Sequence, residues 1–295
     1  MVTVRVPATT ANLAAGFDSM GCALGLYNTL SFTPAEELSF TGCDKAYQNE
    51  ENLAYQAYCR VLHALGLEKE RVKIDIDAKI PVSRGLGSSA ALLAAGAIAA
   101  NALHGSPLSR NKLLSICTEL EGHPDNVAAA IFGGLTVSFM EGKEVISVSY
   151  DVHPDLRFVA LIPEFPLSTH AARSVLPANV PYADAVFNTA HAAVLPGAFA
   201  QGDEKLLAAA LQDRLHQPYR RSLIHEYNEV EAIAAKNGCN AFCVSGAGPT
   251  LLALTKDPSF VQRMTDEVKC LSYQWQVVEL SVDFEGAAIV SQSIC

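Results

Sequence analysis

Charged side chains are scarce in this sequence, at 18% of 295 residues, and basic residues are fewer than acidic ones. The formal net charge is −10 at pH 7. A surface of this sign repels phosphate backbones and anionic lipids, so we expect neither a nucleic acid nor a membrane as a partner. Half of the residues are hydrophobic. With this length, that predicts a folded protein with room for two domains of ordinary size.

Cysteine pairs at metal-site spacing are also missing. The eight cysteines include no CxxC pair, and Cys239 and Cys243 lack neighbours of metal-ligand type, so we predict reduced thiols and a cytoplasmic protein. The long uncharged stretch 85–108 is interrupted by Asn101, His104 and two further glycines. It is more typical of a buried helix and its exit than of a membrane span. Residues 1–7 have no charged-then-apolar leader, and we expect no secretory signal.

Two familiar phosphate-binding patterns are absent from the glycine-rich segment IPVSRGLGSSAA at 80–91. It is not a Walker A loop, and it lacks the third glycine of a dinucleotide fingerprint. An alternating strand pattern over 72–80 precedes it, and an Ala- and Leu-rich helix follows it. The glycines allow a tight turn and close approach to a ligand, and the free N–H groups of a helix start favour an anion such as phosphate. A tight turn before an ordinary capped helix is the alternative interpretation.

Five other segments place polar groups at turns or helix starts. They are VPATTANLAAGFDSMG (6–21), which continues an alternating strand at 2–7, EGHPDNV (121–127), LSTHAAR (167–173), PYRR (218–221) and SGAGPT (245–250). Each also has an ordinary structural interpretation. These are a surface turn, a helix–turn–helix with an acidic first turn, two helix starts with solvated arginines, and a hairpin.

Taken in order, these segments resemble the signatures of the GHMP small-molecule kinases, named for galactokinase, homoserine kinase, mevalonate kinase and phosphomevalonate kinase. The segments at 6–21 and 121–127 are similar to those of the homoserine kinase branch. Two departures stand out. Ala14 and Ala15 stand where Gly-Pro is usual, and Ala247 replaces a serine in the last signature.

The resemblance implies an α+β fold of two domains. These are a ribosomal-S5-like ATP-binding domain, predicted over 1–153, and a ferredoxin-like C-terminal domain, predicted over 154–295. It implies transfer of a phosphoryl group from ATP to the hydroxyl of L-homoserine, with Mg²⁺, on the route to threonine. It leaves room for a homodimer.

The resemblance also assigns the site residues. The ATP loop would consist of Pro81, Val82, Ser83, Arg84, Gly85, Leu86, Gly87, Ser88, Ser89, Ala90 and Ala91. Ser89 and Glu121 would hold Mg²⁺, with Ser88 as the alternative hydroxyl. Substrate contacts would come from Asn12, Asp18, His123, Asp125, Asn126, Thr169, Arg173 and Arg220. Asp18 or Asp125 would meet the ammonium group and the two arginines the carboxylate, while Asn126 would orient the attacking hydroxyl.

No dedicated general base is expected, because Thr169 stands in the region where some relatives carry an aspartate. We hypothesise that the proton leaves late, to phosphate or water. Two other functions stay open. The first is a GHMP kinase acting on a sugar or mevalonate, which Asn12, Asp18 and the arginines oppose. The second is a non-catalytic protein that binds an amino acid or ATP, which the retention of Ser89 and Glu121 opposes.

Overall fold

The computed structural model describes residues 1–292, which form two β-sheets with helices packed against them. The strands are β1 (Val2–Ala11), β2 (Met20–Pro34), β3 (Ser39–Thr41), β4 (Val72–Asp77), β5 (Leu135–Glu141), β6 (Glu144–Tyr150), β7 (Arg157–Pro163), β8 (Phe242–Val244), β9 (Leu251–Thr255), β10 (Trp275–Leu280) and β11 (Ala288–Gln292). The α-helices are α1 (Leu53–Ala64), α2 (Ser88–Leu103), α3 (Arg110–Glu121), α4 (Asp125–Phe132), α5 (Thr169–Ser174), α6 (Tyr182–Gln201), α7 (Glu204–Ala210), α8 (Gln217–Arg220), α9 (Tyr227–Lys236) and α10 (Phe260–Glu267).

The first sheet has seven strands, with β11, β1, β2, β4 and β3 side by side and β5 and β6 branching from the start of β2. The 15-residue β2 is long enough to pair with β5 at one end and β4 at the other. Helices α2 and α4 pack on β1. The Ala-rich α2 lies so close to α1 that any side chain at Gly96 would collide with the Ala54 carbonyl. This packing holds the middle of α2 against α1.

The second sheet is antiparallel, in the order β10, β7, β9, β8. Alternate residues of β7 face two different clusters, as the two-residue period of a strand requires. Phe158 packs with Phe199 of α6, whereas Val159 joins a second cluster with Val230 of α9 and Met264 of α10. The two-domain α+β fold expected from the sequence is confirmed.

The ends of several elements differ from the sequence expectations. The strand predicted over 2–7 continues to Ala11, and the strand predicted over 72–80 ends at Asp77. Strand β11 was not predicted, and it pairs with β1 in the first sheet. The division between residues 153 and 154 stays a prediction. Strand β7, the first strand of the second sheet in chain order, begins shortly after this division. Strand β11, however, lies in the predicted C-terminal domain and belongs to the first sheet.

Within residues 1–292, none of the helices combines the length and the apolar character that crossing a bilayer requires.

Candidate active site

A cavity of about 370 Å³ is lined by residues from both halves of the chain. The glycine-rich loop and the segment after α3 contribute from the first half, and α5, α8 and the turn at 246–248 contribute from the second. All five segments with signature character therefore meet the loop at one place. Such a concave site with converging polar groups is the usual setting for a small-molecule ligand.

The glycine-rich loop reaches the cavity because the chain leaves the sheet after β4. The Asn28 side-chain carbonyl accepts the N–H groups of Lys79 and Ile80, at 2.8 and 2.9 Å, and so ends the ladder. Gly87 has φ 70° and precedes α2 directly, and no side chain in the described part of the chain caps that helix. The first N–H groups of α2 are therefore available to an anion, which the helix dipole also favours.

The turn at 245–248 packs tightly on this loop. The Ser245 hydroxyl donates to the Gly85 carbonyl at 2.6 Å. A Cβ at Gly85 would collide with the Ser245 carbonyl and lie 2.9 Å from the Gly248 carbonyl oxygen. Gly85 also has φ 71°, in the left-handed region. Only glycine meets both conditions at position 85. The conformation of the loop is thus fixed by the second half of the chain.

Ser89 and Glu121 form a pair beside the start of α2. The Ser89 hydroxyl donates to the Glu121 carboxylate at 2.5 Å. Burial raises the pKa of Glu121, with a smaller contribution from Asp125 in the same direction, against the opposing effects of Ser89, His123 and Arg173. A hydroxyl and a carboxylate this close, next to a phosphate-binding helix start, are hard oxygen donors of the kind that Mg²⁺ prefers.

His123, Asp125 and Asn126 lie at the start of α4. The buried Asp125 carboxylate accepts from His123 Nδ1 at 2.6 Å and from the Asn126 backbone N–H at 2.7 Å. Burial by itself lowers the pKa of His123, but the hydrogen bond and charge of Asp125, with Glu121 and Asp18, outweigh it and raise the pKa. His123 is therefore more readily protonated than an ordinary histidine. Ligand atoms of Asp18, His123 and Asp125 lie within 4.8 Å of one another.

An ion pair joins the two halves of the chain across the cavity. Both nitrogens at the end of Arg173 bond the Asp18 carboxylate, at 2.6 and 3.1 Å. Asn12 holds the Asp18 segment in place, because its side chain accepts the Asp18 N–H at 2.9 Å and donates to the Gly246 carbonyl at 2.8 Å. A bidentate pair of this kind gives fixed geometry as well as attraction.

Arg220 is buried beside this pair. It donates to the carbonyls of Ala172 and Gly246, at 3.2 and 3.1 Å. It also donates to His216 Nδ1 at 3.2 Å, because His216 Nε2 carries the proton that goes to the Ala14 carbonyl. Burial lowers the pKa of His216 to about 4. Burial and the nearby Arg173 lower the pKa of Arg220 to about 10, so its charge is held at a cost to the folded protein.

Comparison with known proteins agrees with this arrangement. Residues 52–134 match the model of the GHMP kinases N terminal domain, and residues 197–273 match that of the GHMP kinases C terminal. The chain belongs to the GHMP kinase family. It is 39% identical to a homoserine kinase of Clostridium botulinum over 100% of both chains. It is 43% identical to one of Synechococcus sp. over 98% of this chain and 95% of the relative.

Solved structures give the same fold. The homoserine kinase from Cytophaga hutchinsonii superposes with a TM-score of 0.85 at 26% identity, over 98% of this chain and 97% of that one. The mevalonate kinase of L. major superposes with a TM-score of 0.71 at 15% identity, over 94% of each chain. At that identity the second likeness concerns the fold alone. The resemblance to GHMP kinases expected from the sequence is confirmed.

The cavity of this GHMP kinase brings together most of the residues that the sequence singled out. Loop residues 81–89 line it, as do Asn12, Asp18, Glu121, His123, Asp125, Asn126, Thr169, Arg173 and Arg220. Ala90 and Ala91 do not line it. Both are fully buried inside α2, and the Ala91 N–H donates to the Gly87 carbonyl. The roles of all these residues as ligands stay predictions.

Other lining residues escaped the sequence reasoning. Tyr47, Leu53 and Ile76 form a more apolar wall beyond the loop. They come from a 3₁₀ turn, the start of α1 and the end of β4. Helical spacing and strand alternation predicted the elements around Leu53 and Ile76, but no motif connects the three residues. Their shared cavity results from the fold.

Proposed function

We propose that this chain transfers the γ-phosphoryl group of ATP to the hydroxyl of L-homoserine, giving ADP and O-phospho-L-homoserine on the route to threonine. The observation that carries the proposal is similarity to homoserine kinases over the full length, at 39–43% identity. The cavity supports it, because an uncapped helix start for phosphate lies beside paired acidic and basic side chains for a zwitterion.

The phosphates would lie at loop residues 81–89 and the first N–H groups of α2. Ser89 and Glu121 fit a Mg²⁺ ion, since they offer a hydroxyl oxygen and a carboxylate oxygen at 2.5 Å from each other. When bound, the ion would supply charge to the phosphate oxygens, as in other phosphoryl transfer enzymes. The helix dipole and main-chain N–H groups supply the remaining stabilisation.

The amino-acid end of the substrate would lie at the Asp18–Arg173 pair. A zwitterion can exchange partners with this pair, with its carboxylate toward Arg173 and Arg220 and its ammonium toward Asp18 or Asp125. No charge is left without a partner in that exchange, which matters because an unpaired buried charge is costly. Asn12, His123 and Thr169 complete this end of the cavity.

Asn126 would orient the attacking hydroxyl, and no side chain would act as its base. The raised pKa of His123 favours its protonated form, which cannot accept a proton. The Asp125 carboxylate is already hydrogen-bonded to His123 and Asn126. Thr169 is a poor base. The proton would therefore leave late, to phosphate or water, and positioning and electrostatics would supply most of the rate.

Release of ADP in the presence of L-homoserine, with ³¹P NMR of the product, tests the proposed function. A panel of galactose, mevalonate and other small alcohols is the control for substrate choice. We expect rapid turnover of L-homoserine and little of the others. Preference for a sugar or mevalonate would refute the substrate assignment, and tight ATP binding without turnover of any alcohol would favour a non-catalytic binding protein.

We further propose a cytoplasmic homodimer that associates through the outer face of the β5–β6 hairpin. Val137 pairs with Val148 and Phe139 with Ile146 on this face, and Phe139 and Val148 are 56% and 49% exposed. A chain of net charge −10 repels its own copies, so a largely apolar face is the favourable place for contact. Light scattering should give twice the chain mass, and Val148→Glu should give monomers, unlike Val290→Glu on β11. A monomeric parent protein would refute this.

A further inference from the structure

Thr9 connects the phosphate loop with Asn126, although it does not line the cavity. It is fully buried in β1. Its backbone N–H donates to the Leu86 carbonyl at 3.1 Å, and its hydroxyl donates to the Asn126 side-chain carbonyl at 2.7 Å. A Cβ at Gly87 would collide with this hydroxyl. Thr9 therefore contacts both the segment that would hold the γ-phosphate and the side chain that would hold the acceptor.

The hydrogen bond from Thr9 fixes which atom Asn126 presents to the cavity. The Asn126 amide nitrogen lies 3.3 Å from the Asp125 carboxylate, which accepts but cannot donate. If the amide turned over, the Asn126 carbonyl oxygen would face the Asp125 carboxylate oxygen, and both are acceptors. The Asn126 nitrogen would then face the Thr9 hydroxyl in place of the carbonyl oxygen. Asn126 thus has its carbonyl directed to Thr9 and its NH₂ group between Asp125 and the cavity. It offers a ligand one N–H.

We propose that Thr9 is a positioning residue for phosphoryl transfer. It holds the Asn126 N–H at a fixed distance from Leu86 and Gly87, and so sets the distance between the acceptor oxygen and the phosphorus. Asn126 acts by donating to the acceptor oxygen and not by accepting its proton. This inference rests on the proposed function, because it needs an acceptor hydroxyl at Asn126. Reacting atoms must approach within about 3–3.5 Å, so a small displacement has a large effect on rate.

Thr9→Val removes the hydroxyl at nearly constant shape, and Thr9→Ser retains it. We expect kcat of Thr9→Val to fall about 10- to 100-fold, because the freed Asn126 amide no longer holds the acceptor in line. The KM values for ATP and the alcohol should stay near those of the parent, and Thr9→Ser should recover most of kcat. ADP formed without phosphorylated alcohol should increase in Thr9→Val, since water competes better for the phosphoryl group.

Two further comparisons separate positioning from a general effect on the fold. Thr136→Val also removes a buried threonine hydroxyl, one that donates to the Gly21 carbonyl at 3.3 Å, and it should leave kcat unchanged. In an Asn126→Ala background, Thr9→Val should have no additional effect on kcat, because Thr9 acts through Asn126.

The inference would be overturned if kcat is unchanged in Thr9→Val, or if the only change is in the KM for ATP. It would also be overturned if Thr9→Val lowers kcat by the same factor in the Asn126→Ala background as in the parent enzyme. These outcomes differ from failure of the proposed function. If the parent enzyme phosphorylates another alcohol instead of L-homoserine, the same comparison of kcat applies with that alcohol.

Discussion

Replacing Arg220 with methionine tests whether this buried guanidinium serves the substrate or the fold. Its pKa of about 10 lies below the ordinary value for arginine, so the side chain stays charged at neutral pH but the buried charge destabilises the folded protein. At about 1.4 kcal/mol per pKa unit, holding the charge at neutral pH costs the fold about 3 kcal/mol. The three hydrogen bonds of Arg220 return about 1 kcal/mol each. The two effects nearly cancel, so the empty variant should be about as stable as the parent.

Binding of L-homoserine should respond very differently. Removing one partner of a buried charge pair costs about 2–5 kcal/mol, so KM for L-homoserine should rise about 30-fold or more in Arg220→Met. The KM for ATP should change little. Urea unfolding of the empty enzyme and initial-rate kinetics measure the two quantities. If stability falls by several kcal/mol while KM for L-homoserine is unchanged, Arg220 holds Ala172 and Gly246 together and does not meet the substrate.

Three other predictions concern the phosphate loop, the Ser89–Glu121 pair and the substrate. Gly87→Ala places a methyl group against Thr9 at φ 70° and should lower the ATP-dependent rate at least about 10-fold, whereas Gly66→Ala, at φ 72° with open space around it, should cost only about 1–2 kcal/mol in urea unfolding. Burial raises the pKa of Glu121, so ionisation destabilises the empty enzyme as pH rises above the ordinary carboxyl range. Glu121→Gln should keep or raise Tm at neutral pH while losing the Mg²⁺-dependent rate, and a clearly lower Tm would contradict this. On acidification, the rate of the parent enzyme should begin to fall at a pH above the range in which an ordinary carboxyl group takes up its proton. 4-Hydroxybutyrate, which lacks the ammonium group, should show kcat/KM at least about 30-fold below that of L-homoserine, and equal values would refute the role of Asp18 and Asp125.

The glycine-rich loop could be predicted because its information is local. Alternating apolar and polar residues, two glycines and an Ala-rich segment follow each other over 72–103. The structure has a strand, a loop and a helix there, in the same order. The end of β4 could not be predicted in this way. Lys79 and Ile80 bond to Asn28, which is about 50 residues away along the chain, and nothing in the local pattern indicates that contact.

The departure from the family pattern at Ala14 has a structural outcome. At the position where the signature that the segment resembles has glycine, Ala14 has φ 59°, in the left-handed region that glycine adopts freely. Its backbone strain is about 1–2 kcal/mol. The Ala14 carbonyl accepts from His216 at 2.9 Å, and Ala14 is fully buried. Tertiary contacts thus hold the loop in its conformation in spite of the substitution.

Thr9 and His216 show a different limit of sequence reasoning. Thr9 lies in a strand, and its hydroxyl contacts a helix start 117 residues away along the chain. His216 is hydrogen-bonded to both the Ala14 carbonyl and Arg220. Neither residue stands in a spacing that distinguishes it from other buried polar residues. Only the fold brings such positions together, because they support the site residues without lining the cavity.

The distribution of charge explains how a protein of net charge −10 can accept an anion and a zwitterion together. The cavity is lined by four carboxylates, Asp18, Glu51, Glu121 and Asp125, and by four bases, Arg84, His123, Arg173 and Arg220. With His123 protonated these charges cancel, so the site is electrically balanced within an acidic surface. A zwitterion leaves that balance intact, whereas a carboxylate without an ammonium group leaves an acidic partner unpaired. The triphosphate adds negative charge, which the helix start of α2 and a divalent cation held by Ser89 and Glu121 would offset.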